Sequence, residues 1–237
     1  MLYKYIRRRE VVAVGQSRVY VREPSHYLAS KGIEYEIIGT PVPMGTAEPI
    51  YEGASFVKGE RVRPVGCSPD YGTGDTGYYT AQHCIDIRGE RDTVKMSDGS
   101  EAFVLRKNPF KKFGFFCALC TFFNRRLCCV NRDWAVISVG NTGEKPVAVL
   151  SGGTVPPGWV FFAPLVDDPL MLVGKTVTGV SRDYDSKEDV VGTWDVVDYG
   201  VVKYVIDGGI YVVEALIARG FSKPGYSGTN VYIAEKR

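Results

Sequence analysis

The chain has 237 residues, of which 45% are hydrophobic and 24% charged, and these values are typical of a folded globular protein. Its 29 Lys and Arg side chains are nearly balanced by 27 Asp and Glu, so the formal net charge of +2 argues against a nucleic-acid partner. This length allows one large domain or two small ones with a hydrophobic core.

The start of the chain lacks the features of a secretory signal, because no apolar h-region accompanies the basic triplet at 7–9. No stretch reaches the roughly 18 apolar residues that a membrane-spanning helix requires. Six cysteines are few for a chain of this length, and they do not require an oxidising compartment. We therefore expect a protein that is not secreted by a signal peptide.

Short apolar segments rich in Val, Tyr and Thr, separated by Gly, Pro and Asp, are typical of an all-β protein. Residues 1–50 carry three such pieces and end in a Pro/Gly-rich link at 39–45, so they are predicted to be an N-terminal extension. A second link at 140–146, rich in Gly, Asn and Pro, divides the remaining segments into two sets. The pattern predicts two consecutive six-stranded antiparallel β-barrels, at 51–140 and 141–237.

The predicted strands of the first barrel are 54–58, 61–65, 77–81, 93–96, 102–106 and 134–139. Those of the second barrel are 147–150, 159–162, 175–180, 201–206, 211–216 and 229–234. No convincing helix longer than 12 residues is predicted between them.

Ser227 lies in the turn Gly-Tyr-Ser-Gly at 225–228, a setting that suits an exposed nucleophile. A serine that attacks a carbonyl needs a base to take its proton and donors for the oxyanion. Glycines at 225 and 228 allow the sharp backbone turn that lets amide hydrogens converge beside the hydroxyl. An ordinary turn can have the same composition, so the rest of the chain must supply a base.

The chain has only two histidines, and His83 is the better candidate for the base. His26 lies in a polar loop, whereas His83 follows the apolar strand predicted at 77–81. An unperturbed pKa near 6.5 makes histidine the natural general base near neutral pH.

Three motifs resemble those of chymotrypsin-like serine proteases. The segment TAQHC at 80–84 resembles the Thr-Ala-x-His-Cys signature, and Asp133, directly ahead of an apolar strand, resembles the family's aspartate. The turn at 225–228 resembles the Gly-x-Ser-Gly nucleophile turn, and the order His, Asp, Ser is the chymotrypsin order. The resemblance spans residues 80–228 and implies a serine endopeptidase whose two β-barrels are of the chymotrypsin type.

This resemblance implies a role for each motif residue. His83 takes the proton of Ser227 and returns it to the leaving amine, while Asp133 holds the imidazole and stabilises the imidazolium. The backbone amides of Gly225 and Ser227 form the oxyanion hole. For a protein in an oxidising compartment, the resemblance also implies a disulfide between Cys67 and Cys84, which flank the histidine segment.

Tyr226 stands where trypsin-like zymogens carry the aspartate that pairs with a freshly cut N-terminus, so we expect no cleavage-driven activation. The remaining features resemble the proteases of positive-strand RNA viruses, in particular those of sobemoviruses and poleroviruses. By that resemblance the Ser222 hydroxyl contacts the substrate's P1 side chain, with Glu or Gln preferred at P1. Only one predicted strand follows Ser227, so we expect the second barrel to be incomplete and the chain to be a fragment of a polyprotein. The alternative is that the first 50 or so residues compensate for the missing strands.

Region 107–129 has an apolar centre, basic flanks and four of the six cysteines. The favoured prediction is a β-hairpin with buried cysteines, and the alternative is a loop that contacts a membrane surface. A zinc site is less favoured, because adjacent Cys128 and Cys129 fit paired zinc knuckles badly. The GxGxxG match at 72–77 precedes a strand and not a helix, so we predict a turn there and no cofactor or metal.

The sequence therefore predicts a serine endopeptidase of the host cytoplasm, with a membrane-associated form as an option, that processes a viral polyprotein. Its partners would be polypeptide substrates and not nucleic acid. Two alternatives stay open: a cellular stress-type protease of the same fold, and a catalytically silent relative that acts as a binding scaffold.

Overall fold

A computed structural model describes residues 2–38, 42–51, 77–96, 101–124, 128–138, 158–182, 189–222 and 226–235. The strands are β1 (Val11–Gly15), β2 (Val19–Val21), β3 (Tyr35–Ile37), β4 (Val42–Tyr51), β5 (Gly77–Thr80), β6 (Thr93–Lys95), β7 (Glu101–Arg106), β8 (Val130–Asn131), β9 (Ala135–Ser138), β10 (Trp159–Pro164), β11 (Thr176–Arg182), β12 (Asp189–Ile206), β13 (Gly209–Gly220) and β14 (Asn230–Glu235). The α-helices are α1 (His26–Ser30) and α2 (Phe115–Asn124), and 3₁₀ turns cover Leu2–Arg7, Gln82–Cys84 and Pro169–Leu172.

The protein is mostly β, as the sequence predicts, and the described strands form two sheets. The larger sheet has ten strands in the order β3-β2-β1-β12-β11-β14-β4-β10-β13-β8, and β12 also pairs with β13. β12 thus pairs with three strands, β1, β11 and β13. The smaller sheet is a row of four strands, β5-β9-β7-β6. The predicted strands at 54–58, 61–65 and 147–150 lie outside the described residues.

Strands from the first 51 residues belong to the same sheet as strands from the end of the chain. β1 pairs antiparallel with β12, and β4 lies parallel between β14 and β10. The predicted link at 39–45 is therefore wrong for residues 42–45, which are the start of β4. Pairing on both sides outweighs the weak strand propensity of its prolines. The predicted boundaries at 50 and 140 stay a prediction.

The longest strands, β12 and β13, form a hairpin joined by Asp207 and Gly208. Both residues have positive φ, 49° and 68°, as the tight hairpin turn that matches the twist of the strands requires. β12 begins twelve residues before the predicted segment 201–206, in a stretch with several aspartates. One of them, Asp198, is buried, and its carboxylate accepts hydrogen bonds from the Tyr20 hydroxyl at 2.9 Å and from the backbone N–H of Gln16 at 3.1 Å.

One core cluster of the larger sheet is formed mainly by residues of β10, β11, β12, β13 and β14. Trp194, Phe162 and Leu216 are almost fully buried there, and the ring centroids of Phe162 and Trp194 are 5.5 Å apart. A separate cluster lines the smaller sheet and contains Ile85, Val94, Met96, Ala102, Ala135 and Ile137. Burial of such apolar surface is the main stabilising contribution in both sheets.

The β-hairpin predicted within 107–129 is wrong, because residues 115–124 form helix α2. Its four cysteines are paired in two disulfides, Cys117–Cys129 and Cys120–Cys128. The aromatic residues of this stretch favour strands by propensity, but Cys117 and Cys120 at a spacing of three lie one turn apart on a helix, so both reach the returning chain. No helix within the described part of the chain is long and apolar enough to cross a membrane.

Candidate active site

His83 lies in the 3₁₀ turn that follows β5. The turn is held by its first residue, Gln82, which is fully buried. The Gln82 side-chain amide donates to the carbonyl of Asp86, and its oxygen accepts from the backbone N–H of Asn108 at 2.8 Å. The first bond spans His83 within the turn, and the second ties the turn to the segment that follows β7.

Asp133 lies between β8 and β9 and is 2% exposed. Two residues earlier, the buried Asn131 side chain donates to the carbonyls of Lys111 and Val212, each at 3.0 Å. Its oxygen also accepts from the backbone N–H of Lys111. Since Val212 belongs to β13 of the larger sheet and β9 belongs to the smaller sheet, Asp133 is positioned where the chain passes from one sheet to the other.

His83 and Asp133 form a close, largely buried pair. The Nδ1 atom of His83 lies 2.7 Å from Oδ2 of Asp133, and the backbone N–H of His83 donates to Oδ1 at 3.0 Å. A carboxylate against Nδ1 favours the tautomer that carries its proton there, which leaves Nε2 as an acceptor. Burial lowers the pKa of His83, but the charge of Asp133 and its hydrogen bond raise it, and the net shift of this pKa is upward.

Tyr204 on β12 is a third group at this pair. Its hydroxyl donates to Oδ2 of Asp133 at 3.3 Å, and its ring lies edge-on to the imidazole of His83 with centroids 6.5 Å apart. Burial and the charge of Asp133 both raise the pKa of Tyr204 well above its ordinary value, so the hydroxyl keeps its proton. Sequence reasoning missed Tyr204, because nothing distinguishes it among the 15 tyrosines of the chain.

Ser227 lies in the turn before β14 and is partly exposed. The turn is closed by Thr229, whose N–H and hydroxyl donate to the carbonyl of Tyr226 at 3.1 and 2.6 Å. Gly228 has φ +86°, a left-handed conformation that glycine adopts without strain. Tyr226 is 3% exposed and packs edge-on against Phe221, so buried residues flank a serine that solvent reaches.

The remaining predicted site residues are Ser222, Gly225 and the two cysteines of the predicted disulfide. Ser222 is half-buried just after β13, next to Phe221, whose carbonyl accepts from the Trp194 indole at 2.8 Å. Gly225 and Cys67 lie outside the described residues. Cys84 is disulfide-bonded, but its pairing with Cys67 stays a prediction. Among the described residues, no group of three or more His, Cys, Asp or Glu side chains could hold a metal ion.

The structure thus brings His83 and Asp133 together across 50 residues of sequence and places Ser227 on an accessible turn. A family model described as "Putative filamentous viruses peptidase" matches residues 49–234, more than half of the chain. The chain belongs to this family. Membership gives the chain a viral peptidase role and places it among hydrolases that act on polypeptides. All three motif residues lie inside the matched range. A comparison with curated proteins finds no match.

Proposed function

We propose that this member of the filamentous-virus peptidase family is a serine endopeptidase with Ser227 as nucleophile, His83 as general base and Asp133 as the orienting acid. The observation that carries the proposal is the 2.7 Å contact between Nδ1 of His83 and Oδ2 of buried Asp133. A buried carboxylate against Nδ1 is what a base needs to present Nε2 to a hydroxyl. The serine turn at 226–229 supplies a partly exposed Ser227 and is closed by the Thr229–Tyr226 hydrogen bonds.

In this mechanism Ser227 Oγ forms a bond to the scissile carbonyl carbon, and its proton passes to Nε2 of His83. Asp133 stabilises the imidazolium that results. The amides of Gly225 and Ser227 bind the oxyanion of the tetrahedral intermediate. When the C–N bond breaks, His83 returns the proton to the leaving amine. Water then attacks the acyl-enzyme in the same way and releases the carboxylic acid and Ser227.

The finer parts of the proposal concern fold type and substrate. We infer a chymotrypsin-type arrangement of two barrels, with the His83–Asp133 pair on the smaller sheet and the serine turn on the larger one. The substrate is a viral polyprotein, and Ser222 contacts the P1 side chain. The family match is to viral proteins, which favours this function over a cellular stress-type protease. Contact of residues 107–129 with a membrane is a separate proposal that does not depend on catalysis.

The test is labelling of the purified chain with a fluorophosphonate probe, together with self-cleavage of a longer precursor. We expect Ser227→Ala to abolish both, because the probe reacts only with an activated serine hydroxyl. Ser30→Ala, which changes an exposed serine on α1, is the matched control and should label like the wild type. Equal labelling of wild type and Ser227→Ala would refute this nucleophile. A wild type that neither labels nor cleaves would support the silent scaffold instead.

A further inference from the structure

Helix α2 exposes an apolar patch formed by Phe115, Phe116 and Leu119. The exposed fractions of these side chains are 73%, 82% and 40%, and the two phenylalanine rings contact each other edge-on, with centroids 5.9 Å apart. A helix that packs on a core turns its large apolar side chains inward. This helix instead exposes them, so no described part of the chain covers this face.

The covalent and hydrogen-bonded surroundings of α2 hold this patch outward. The disulfides Cys117–Cys129 and Cys120–Cys128 tie the helix to the chain that follows it, and Cys117 is 8% exposed. At the two ends of the segment 111–131, which contains α2, the Asn131 side chain bonds both the N–H and the carbonyl of Lys111. Because segment 111–131 is closed at its ends by these hydrogen bonds and constrained by two disulfides, its phenylalanines cannot easily fold back into the protein.

The sequence around α2 carries only positive charge. Residues 102–132 contain no Asp or Glu, although the whole chain has a formal net charge of only +2. Lys111 and Lys112 are exposed directly before the helix, whereas Lys107 and Arg132 contact Asp92 and Glu214. The seven basic residues of this segment are Arg106, Lys107, Lys111, Lys112, Arg125, Arg126 and Arg132.

We propose that α2 is a membrane-surface anchor specific for anionic lipid bilayers. Phe115, Phe116 and Leu119 insert between the lipid headgroups, and Lys111 and Lys112 bind the lipid phosphates. A helix of ten residues is too short to cross the hydrocarbon core, so it lies in the plane of the interface. The basic flanks decide between possible occupants, because a second copy of this chain would bring the same positive charge to the contact and be repelled.

The segment that carries the anchor is connected to the candidate active site through Asn131. Asn131 closes the segment 111–131 and lies two residues before Asp133. Docking would therefore hold the His83–Asp133 pair close to the bilayer, where a membrane-bound polypeptide could reach it. Only this consequence depends on the proposed protease activity, and lipid binding by α2 does not.

The experiment is co-sedimentation of the full chain, disulfides intact, with phosphatidylcholine vesicles with and without about 30% phosphatidylserine. We expect binding to the anionic vesicles, at least about tenfold weaker binding to the neutral ones, and weakening by salt. The double variant F115S/F116S should lose at least about tenfold in partitioning, and K111Q/K112Q should lose only the preference for anionic lipid. The matched control is Phe103→Ser, which removes a phenylalanine that is 65% exposed on β7 and should bind like the wild type.

The outcomes separate this proposal from its alternatives and from the proposed protease. Unchanged far-ultraviolet circular dichroism and thermal midpoint would show that F115S/F116S is folded. No binding by the wild type, or equal binding by F115S/F116S, would overturn the anchor. A wild-type dimer in analytical ultracentrifugation that F115S/F116S dissociates, without vesicle binding, would assign the patch to a second copy. Vesicle binding by Ser227→Ala would keep the anchor even if the protease proposal failed.

Discussion

The hydroxyl of Tyr204 lies 3.3 Å from Oδ2 of Asp133, the same oxygen that Nδ1 of His83 reaches at 2.7 Å. With the His83 backbone N–H on Oδ1, three donors converge on one buried carboxylate. Tyr204 comes from the larger sheet and His83 follows a strand of the smaller one, so this carboxylate joins the two sheets through side-chain contacts. We infer that Tyr204 is a positioning residue, which acts on the reaction only through Asp133.

Replacement of Tyr204 by Phe tests this role. Loss of a donor leaves the negative charge of Asp133 less stabilised, and a less stabilised carboxylate favours the imidazolium more strongly. The pKa of His83, already raised by Asp133, should therefore rise further, and the acidic limb of the pH profile of kcat/KM should move to higher pH. Because a hydrogen bond to a charged group contributes about 1.5–3 kcal/mol, the variant should also be less stable to urea.

The matched control for Tyr204→Phe is Tyr211→Phe. Tyr211 lies opposite Tyr204 in the β12–β13 ladder, and both rings pack against Phe110. We expect the pH profile of Tyr211→Phe to match that of the wild type. Superimposable profiles for the wild type and Tyr204→Phe would show that the Tyr204 hydroxyl has no influence on the His83–Asp133 pair.

Asp133→Asn tests the orienting acid itself. The amide can place an N–H against Nδ1, which would favour the wrong histidine tautomer, so we expect kcat to fall by a factor on the order of 10³–10⁴. The pKa of His83 should also fall, because the charge that raises it is removed. Imidazole titration by NMR measures this shift, and Asp86→Asn, a change at a carboxylate that caps the loop after His83, is the control. An active Asp133→Asn enzyme would rule out Asp133 as the orienting acid.

His83 and Asp133 could be predicted because each stands in a short local motif beside an apolar strand. Tyr204 could not, since its position depends on the register of β12 against β13, which no local pattern reveals. Several strands could also be predicted, from short segments rich in Val, Tyr and Thr that Gly, Pro and Asp separate. Two features depend on partners far away in sequence and could not be predicted. They are the pairing of β4 within the larger sheet and the burial of Asp198. Helix α2 was missed because its aromatic residues favour a strand, whereas its cysteine pairing depends on a helical turn.

Asn131→Ala tests how the site is held in place. The buried side chain of Asn131 bonds Lys111, which precedes α2, and Val212 on β13, so its removal leaves three backbone groups without this partner. We expect the free energy of unfolding in urea to fall by about 2–4 kcal/mol. Activity should fall as well, because Asp133 is two residues away. The control is Asn108→Ala, which removes the bond to the Trp134 carbonyl on the other side of Asp133. An Asn131→Ala protein as stable as the wild type would show that the hydrogen bonds of the Asn131 side chain do not stabilise the fold.

Lys203 gives a prediction for the pH dependence of stability. Its side chain is 7% exposed and donates to the carbonyl of Arg8 at 2.7 Å, and burial together with nearby Arg22 lowers its pKa to about 8. Because the folded state holds this proton less tightly than the unfolded state, the charged ammonium disfavours folding below about pH 8. That penalty is relieved as the pH rises from about 8 toward 10.5, the ordinary value for a lysine.

We therefore expect Lys203→Met, which keeps the length of the side chain and removes the charge, to be more stable than the wild type at pH 7. The difference in the urea midpoint should shrink as the pH rises to 10, where the wild-type lysine folds in its neutral form. The control is Lys175→Met, the same change at an exposed lysine. A constant difference between Lys203→Met and the wild type from pH 7 to 10 would show that Lys203 does not titrate in this range, and that only packing distinguishes the two proteins.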